Sequence, residues 1–108
     1  MSKLLEAQFA FMRALPKWMI GVQEMGYQLT EGDGYRDDRC QYGSLSSKHK
    51  VRLAHDFNLF KNGKYVTTVE GWREAGEYWE TFGGIWGGRW TSGQGSGDAN
   101  HLEWPYPV

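Results

Sequence analysis

The chain has 108 residues, a length that predicts one domain with a single modest core. Its formal net charge of −1 and its single cysteine exclude a basic nucleic-acid-binding surface, an intrachain disulfide and a cysteine-rich zinc site. An aromatic content of 16% excludes a disordered tail, and no apolar run approaches the length of about 20 residues that a bilayer span requires. Any metal would therefore be held by histidines and carboxylates.

Helical periodicity marks the first quarter of the chain. Residues 2–26 are predicted to form a helix with Ser2 as its N-cap and Gly26 as its stop, and Pro16 is expected to kink or restart it. Its apolar face is expected to pack on the core and consists of Leu5, Phe9, Met12, Trp18, Met19, Val22 and Met25. Residues 27–33 alternate as in an extended segment, and a polar loop follows up to Lys50.

Strands and one further helix are predicted in the rest of the chain. The four strands are expected at residues 52–60, 65–69, 86–90 and 101–104. Asn62-Gly63 predicts a hairpin between the first two, and a flexible loop is expected at residues 92–97. A helix over residues 72–82 would present one apolar face made of Trp72, Ala75, Trp79 and Phe82. This order predicts an α+β fold with a small, largely antiparallel sheet and two or three helices.

The residues able to carry chemistry are three histidines and the carboxylates near them. On the first of these strands, Asp56 and His55 point to opposite faces because side chains alternate along a strand. If a metal site exists, His49 and Asp56 therefore belong to it and His55 does not. The alternative for Asp56 is an ion pair with Arg36 or Arg39, or a position facing water.

A second acidic and histidine pair stands near the end of the chain. Asp98 precedes His101 by three residues and follows a glycine-rich loop that can bring the two side chains together. Two histidines and one aspartate make a three-ligand zinc site with a fourth position open to water, which is the pattern of catalytic sites. A carboxylate beside that water would serve as general base. Glu103 competes with Asp98 for this role, its alternative being a solvated rim residue.

Four separated segments resemble a known peptidase family. Residues 47–56 are similar to the Ser-x-His-x-x-Gly-x-Ala-x-Asp motif of the VanX/VanY-like zinc D,D-carboxypeptidase and L-alanyl-D-glutamate peptidase family, which includes many phage endolysins. Residues 98–101 resemble its Glu/Asp-x-x-His motif, residues 34–36 its Tyr-Arg segment, and residues 86–90 the Trp-Gly-Gly stretch of the endolysin branch. Arg52 departs from the motif glycine, which bears on the local turn and on the width of the adjoining cleft.

The resemblance implies a role for each matched residue. Zinc would be bound by His49, Asp56 and His101. Asp98 would be the general base that activates water, and Arg36 would be the cation that stabilises the oxyanion of the tetrahedral intermediate. Arg39 is a second candidate for that cation or for binding a substrate carboxylate. Ser47 would fix the approach to His49 or contact the substrate.

The resemblance also implies a hedgehog/D,D-peptidase-like fold and an activity. The protein would be a zinc metallopeptidase that hydrolyses the peptide part of bacterial peptidoglycan. Because the Trp-Gly-Gly stretch is typical of the endolysin branch, we expect an L-alanyl-D-glutamate endopeptidase acting as a phage or prophage endolysin. The alternatives are a D-alanyl-D-alanine carboxypeptidase or dipeptidase of the same family, and a catalytically silent phage structural or binding module.

The N-terminal segment bears on where the protein would act. Its apolar stretch is interrupted by Glu6, Gln8 and Arg13, so it lacks the features of a secretory signal. We therefore expect a monomer in the host cytoplasm that reaches the cell wall after release by a holin. The expected partner is the peptidoglycan stem peptide, with no nucleic acid and no membrane insertion. Residues 1–108 are predicted to be one zinc peptidase catalytic domain without a separate wall-binding domain.

Overall fold

The computed structural model describes residues 2–35, 47–91 and 97–106. Its first helix is α1 (Lys3–Glu24). The Ser2 side chain caps it by accepting a hydrogen bond of 3.1 Å from the backbone N–H of Leu5. Gly26 follows with a φ of 100°, the left-handed conformation that ends many helices. The helix is continuous through Pro16, which excludes the predicted restart there. In the described residues, no helix combines the length and the apolar character that crossing a membrane requires.

The buried face of α1 differs from the predicted one, mainly in the first half of the helix. Four residues of the predicted face are exposed, so the prediction that they pack on the core is wrong: Leu5, Phe9, Met12 and, just after the helix, Met25. Apolar residues stand on more than one side of this helix, and the spacing alone permits two stripes. The stripe that contains Phe11 is the buried one, because its ring packs edge-on against Trp79 of the second helix at 5.9 Å.

Within the described residues, five strands form one open antiparallel sheet, so the predicted α+β fold is confirmed. The strands are β1 (Tyr27–Glu31), β2 (Ala54–Lys61), β3 (Lys64–Tyr65), β4 (Ile85–Trp86) and β5 (His101–Glu103). Their order is β1-β2-β5-β4, and β3 pairs with the end of β2. The beginning of β2 pairs with β5, which places β2 and β5 at the centre of the sheet.

The predicted hairpin is confirmed, but the strand that returns from it is short. Asn62 and Gly63 have φ values of 53° and 75°, as a tight two-residue turn requires. The strand predicted over residues 65–69 ends at Tyr65, because Thr68 instead caps helix α2 (Val69–Thr81) by accepting a hydrogen bond from Gly71 N–H at 3.0 Å. The predicted apolar face of α2 is confirmed for its buried members Trp72, Ala75 and Trp79.

The strand predicted over residues 86–90 continues only to Trp86. Gly87–Arg89 form a short 3₁₀ helix instead, in which the Gly87 carbonyl accepts hydrogen bonds from Trp90 N–H at 3.1 Å and Asp98 N–H at 2.9 Å. The last strand is confirmed to within one residue. Most of the loop predicted at residues 92–97 lies outside the described residues.

A cluster of buried tryptophans connects the helices to the sheet. The four fully buried members are Trp18, Trp72, Trp79 and Trp86. The indole N–H of Trp79 donates to the carbonyl of Glu103 at 3.1 Å, and that of Trp86 donates to the carbonyl of Ala99 at 2.7 Å. These two bonds flank His101 along the chain and attach its strand to the core.

Candidate metal centre

Three side chains from three elements converge on one face of the sheet. His49 lies on a 3₁₀ helix (Lys48–Val51), Asp56 near the beginning of β2, and His101 at the start of β5. Antiparallel pairing sets Asp56 directly opposite His101, so their side chains project to the same face. One possible ligand atom from each of the three residues lies within 4.8 Å of the others. The structure therefore brings the three predicted metal ligands together.

The Asp56 carboxylate stands between the two imidazoles. Its Oδ1 lies 3.2 Å from His49 Nε2 and 3.1 Å from His101 Nδ1. Burial on its own raises the pKa of Asp56, but the hydrogen bond with His101 and the contact with His49 outweigh it and hold that pKa well below its usual range. A water-facing Asp56 is not what the structure shows, since its side chain is only 16% exposed. The alternative partners Arg36 and Arg39 lie outside the described residues.

His49 has one ring nitrogen fixed by a backbone carbonyl, and its other ring nitrogen faces Asp56. Its Nδ1 lies 2.6 Å from the carbonyl oxygen of Gly34, and a carbonyl only accepts, so Nδ1 carries the proton. Its Nε2 is buried and makes no hydrogen bond of good geometry to any described residue, although Asp56 Oδ1 is 3.2 Å away. A buried lone pair beside a carboxylate is an arrangement that a divalent cation satisfies.

His101 is placed between two carboxylates. Its Nδ1 lies 3.1 Å from Asp56 Oδ1 and its Nε2 lies 2.8 Å from Glu103 Oε1. Burial lowers the pKa of His101, but the hydrogen bonds to Asp56 and Glu103 outweigh it and raise this pKa to about 9. A cation at Nδ1 would displace the proton there, while Nε2–H continues to donate to Glu103. Two imidazole nitrogens and one carboxylate oxygen are a donor set that suits zinc.

The two candidate bases occupy different sides of His101. Both carboxylate oxygens of Glu103 are engaged, one by His101 Nε2 at 2.8 Å and the other by Lys48 Nζ at 3.0 Å. Glu103 is only 12% exposed, so its interpretation as a solvated rim residue is wrong. Asp98 is 52% exposed, and its Oδ2 lies 3.9 Å from His101 Nδ1, on the side of the ring that faces Asp56. Asp98 is therefore the acid next to the candidate ligand atoms.

His55 takes no part in this group, as the alternation along β2 predicts. Its ring packs against Phe57 at 4.4 Å on the opposite face of the strand. Its Nε2 is 4.0 Å from the nearest carboxylate oxygen of Glu31. Burial lowers the pKa of His55, and the nearby negative charge of Glu31 only partly opposes this effect.

The turn before β2 explains two features of the matched motif. The Ser47 hydroxyl accepts a hydrogen bond of 3.2 Å from the backbone N–H of His49, which fits the first of its two predicted roles. Arg52 has φ 60° and ψ 35°, the left-handed region in which glycine is unstrained, and so the local turn survives the departure from the motif. Its guanidinium lies 4.0 Å from the centroid of the Tyr35 ring.

Three contributors to the site were not predicted from the sequence. They are the carbonyl of Gly34, the ammonium of Lys48 and the ring of Trp90. The Trp90 ring packs against His101 at 4.9 Å and is 37% exposed, so it forms part of the wall beside the candidate ligands. Lys48 stands inside the matched motif, at a position where the motif allows any residue, and a carbonyl gives no sequence signal at all.

An α+β scaffold that brings two histidines and an aspartate together has the donor set of a metal-dependent hydrolase. The chain belongs to the D-alanyl-D-alanine carboxypeptidase family, whose model matches residues 41–104. This match contains all three members of the group, and it makes the protein a member of a family of peptidoglycan-related peptidases. No curated protein matches the chain. The predicted family is thus confirmed, whereas its VanX/VanY-like and endolysin branches remain predictions.

Proposed function

We propose that the protein is a zinc peptidase that hydrolyses the peptide part of bacterial peptidoglycan. The observation that carries this proposal is the approach of His49 Nε2, Asp56 Oδ1 and His101 Nδ1 in the segment that matches the family. Three protein ligands leave a coordination position for water or substrate, as in catalytic zinc sites. The buried Nε2 of His49, which lies 3.2 Å from the Asp56 carboxylate, is also an acceptor that a bound cation would satisfy.

Each residue around the site has a separate role in the proposed hydrolysis. When bound, zinc would polarise the scissile carbonyl and make water a stronger acid. Asp98 accepts a proton from the attacking water at its exposed carboxylate and passes it to the leaving amine as the C–N bond breaks. As the resemblance implies, Arg36 stabilises the oxyanion, and Arg39 assists it or binds a substrate carboxylate. Ser47 holds the approach to His49 through its hydroxyl and lies where it can also contact the substrate.

Within this class we propose an L-alanyl-D-glutamate endopeptidase. The Trp-Gly-Gly stretch supports it, because this stretch resembles the endolysin branch of the family. Its first glycine, Gly87, also lies against the candidate site: a Cβ there would come within 2.5 Å of the Asp98 carbonyl. The biological role that fits is a phage or prophage endolysin, a monomer with one catalytic domain. It would accumulate in the host cytoplasm and reach the stem peptide after release by a holin. The family description favours a second candidate, a D-alanyl-D-alanine carboxypeptidase.

Two variants test the mechanism. We expect His49→Ala to lose both bound zinc and wall lysis, because it removes a ligand, and Asp98→Ala to lose lysis while it keeps zinc. Glu70→Ala, which removes an exposed acid of α2, serves as the control and should change neither. Zinc content is measured by atomic spectroscopy and lysis by turbidity of purified walls. Undiminished lysis in both site variants would exclude the mechanism.

Digestion of purified muropeptides identifies the bond. An endopeptidase separates the whole stem from its L-alanine, whereas a carboxypeptidase releases only terminal D-alanine, and mass spectrometry distinguishes these products. Release of D-alanine alone would replace the first candidate by the second. A purified chain without zinc, and without a thermal shift when zinc is added, would indicate the catalytically silent module instead.

A further inference from the structure

We propose that Glu103, held by Lys48, is a positioning residue that orients His101 and thereby sets the metal affinity of the site. This inference rests on the proposed function and deepens it, because it concerns how the same three ligands are held. Glu103 itself contacts neither the other two candidate ligands nor, in this proposal, the substrate. Its effect reaches the site through the ring of His101.

The contacts form a chain of polar groups that leads to the candidate ligands. Lys48 Nζ lies 3.0 Å from Glu103 Oε2, and Glu103 Oε1 lies 2.8 Å from His101 Nε2. Since a carboxylate only accepts, it keeps the proton on Nε2 and leaves Nδ1 to face Asp56. A carboxylate behind a ligating imidazole also increases the electron density on the ring and strengthens its bond to a metal.

Burial makes Lys48 and Glu103 depend on each other and fixes the position of the Glu103 carboxylate. The side chains of Lys48 and Glu103 are only 13% and 12% exposed, so neither charge is satisfied by bulk water. The Lys48 ammonium also donates to the carbonyl of Trp104 at 3.3 Å, and the Glu103 carbonyl accepts from the indole of Trp79 at 3.1 Å. Glu103 is therefore fixed through its side chain and its backbone, and its carboxylate has a defined position behind the ring.

Zinc affinity tests this role without any measurement of activity. Competition with a chromophoric chelator is expected to show that Glu103→Ala binds zinc about 10- to 100-fold more weakly than the unmodified protein. Glu103→Gln should lose less zinc affinity than Glu103→Ala, because its amide oxygen still accepts a hydrogen bond from His101 Nε2–H. Lys48→Met should weaken zinc binding by about tenfold or less, since Glu103 stays in place without its partner. Glu74→Ala removes a carboxylate that accepts from the hydroxyl of Tyr27, and it should change nothing.

A second measurement separates orientation from general stability. Nitrogen-15 NMR of the zinc-loaded protein should show His101 with its proton on Nε2. In Glu103→Ala the same ring should give a mixture of Nδ1- and Nε2-ligated signals. A variant that only weakened the fold would have a lower melting temperature but an unchanged ring pattern.

The outcomes separate the two proposals. If the unmodified protein binds no zinc, the proposed function fails and this inference fails with it. If it binds zinc and Glu103→Ala matches it within about twofold, the positioning role is wrong while the proposed function stands. Should Glu103→Ala not fold, Glu103→Gln and Lys48→Met decide: unchanged affinity and ring signals in both overturn the role.

Discussion

The two histidine-bearing segments of the site hold their rings in different ways. On the 3₁₀ helix, His49 places its second nitrogen 2.6 Å from the neutral carbonyl of Gly34. On β5, His101 places its second nitrogen 2.8 Å from the carboxylate of Glu103. The carbonyl places a proton on Nδ1 of His49 and turns Nε2 towards Asp56, whereas the carboxylate favours the protonated ring and helps to raise the pKa of His101 to about 9. One ring is thus oriented by a neutral backbone group, and the other is held by a charged side chain and must give up a proton to a metal.

The largest expected effect comes from removing the group that both segments share. Asp56→Ala should lower zinc affinity by more than about 100-fold, beyond the range of outer contacts, because it removes a ligand and the acceptor between the rings. Competition with a chelator measures this loss. Asn58→Ala, on the same face of β2, is the matched control. A decrease smaller than about tenfold would show that Asp56 is not a ligand.

The difference between the rings predicts a pH dependence in protein stripped of metal. The pKa of His101 is about 9 in the folded state and about 6.5 when unfolded, so its stabilising contribution is complete below pH 6.5 and is lost as the pH rises through 9. The free energy of unfolding should fall by about 3 kcal/mol as a result.

Urea unfolding at pH 6 and pH 10 measures this change. The side chain of His101→Gln does not titrate. Comparison with this variant therefore separates the contribution of the His101 ring from that of other groups that titrate in this range. If the two proteins show the same dependence on pH, His101 is not the group responsible.

Close packing beside β5 predicts a smaller effect than the pH change, a loss of stability in Gly87→Ala. A Cβ added at Gly87 would lie 2.5 Å from the Asp98 carbonyl and 3.0 Å from His101 Cβ, so Gly87→Ala must displace the segment that carries both residues. We expect it to cost about 1–3 kcal/mol of unfolding free energy and to reduce wall lysis. Gly26→Ala is the control for lost stability away from the site: its φ of 100° strains alanine although nothing lies within 4 Å of the added Cβ, so it should cost stability but leave lysis intact. Unchanged stability and lysis in Gly87→Ala would contradict this account.

The turn before β2 predicts the smallest effect. Arg52→Gly relieves a left-handed backbone that costs other residues about 1–2 kcal/mol, but it removes the contact with Tyr35, worth about 0.5–1 kcal/mol, and it makes the unfolded chain more flexible. We expect a gain of less than about 1 kcal/mol in urea unfolding and no change in zinc affinity. A loss of stability would show that the stacking on Tyr35 outweighs the backbone strain.

The sequence correctly predicted features that depend only on neighbouring residues, such as strand alternation and turns. Alternation along β2 separated Asp56 from His55, and Asn62-Gly63 identified the hairpin. The partners that orient the histidines could not be predicted in this way, because Lys48 meets Glu103 only through the pairing of β2 with β5. The buried face of α1 depends on its contact with Trp79, which the spacing within the helix does not contain. The roles of Arg36 and Arg39 stay predictions, since both lie outside the described residues.

The indole hydrogen bonds beside β5 have a consequence for the dynamics of the molecule. This strand has three residues, yet it lies between β2 and β4, and buried tryptophans hold the carbonyls of Ala99 and Glu103 on either side of it. His101 cannot leave its position unless those rings leave the core. The amide hydrogens of β5 should therefore exchange with deuterated water only when the whole domain opens. A strand of three residues would not be rigid by itself, and the tryptophans packed behind β5 keep it in place.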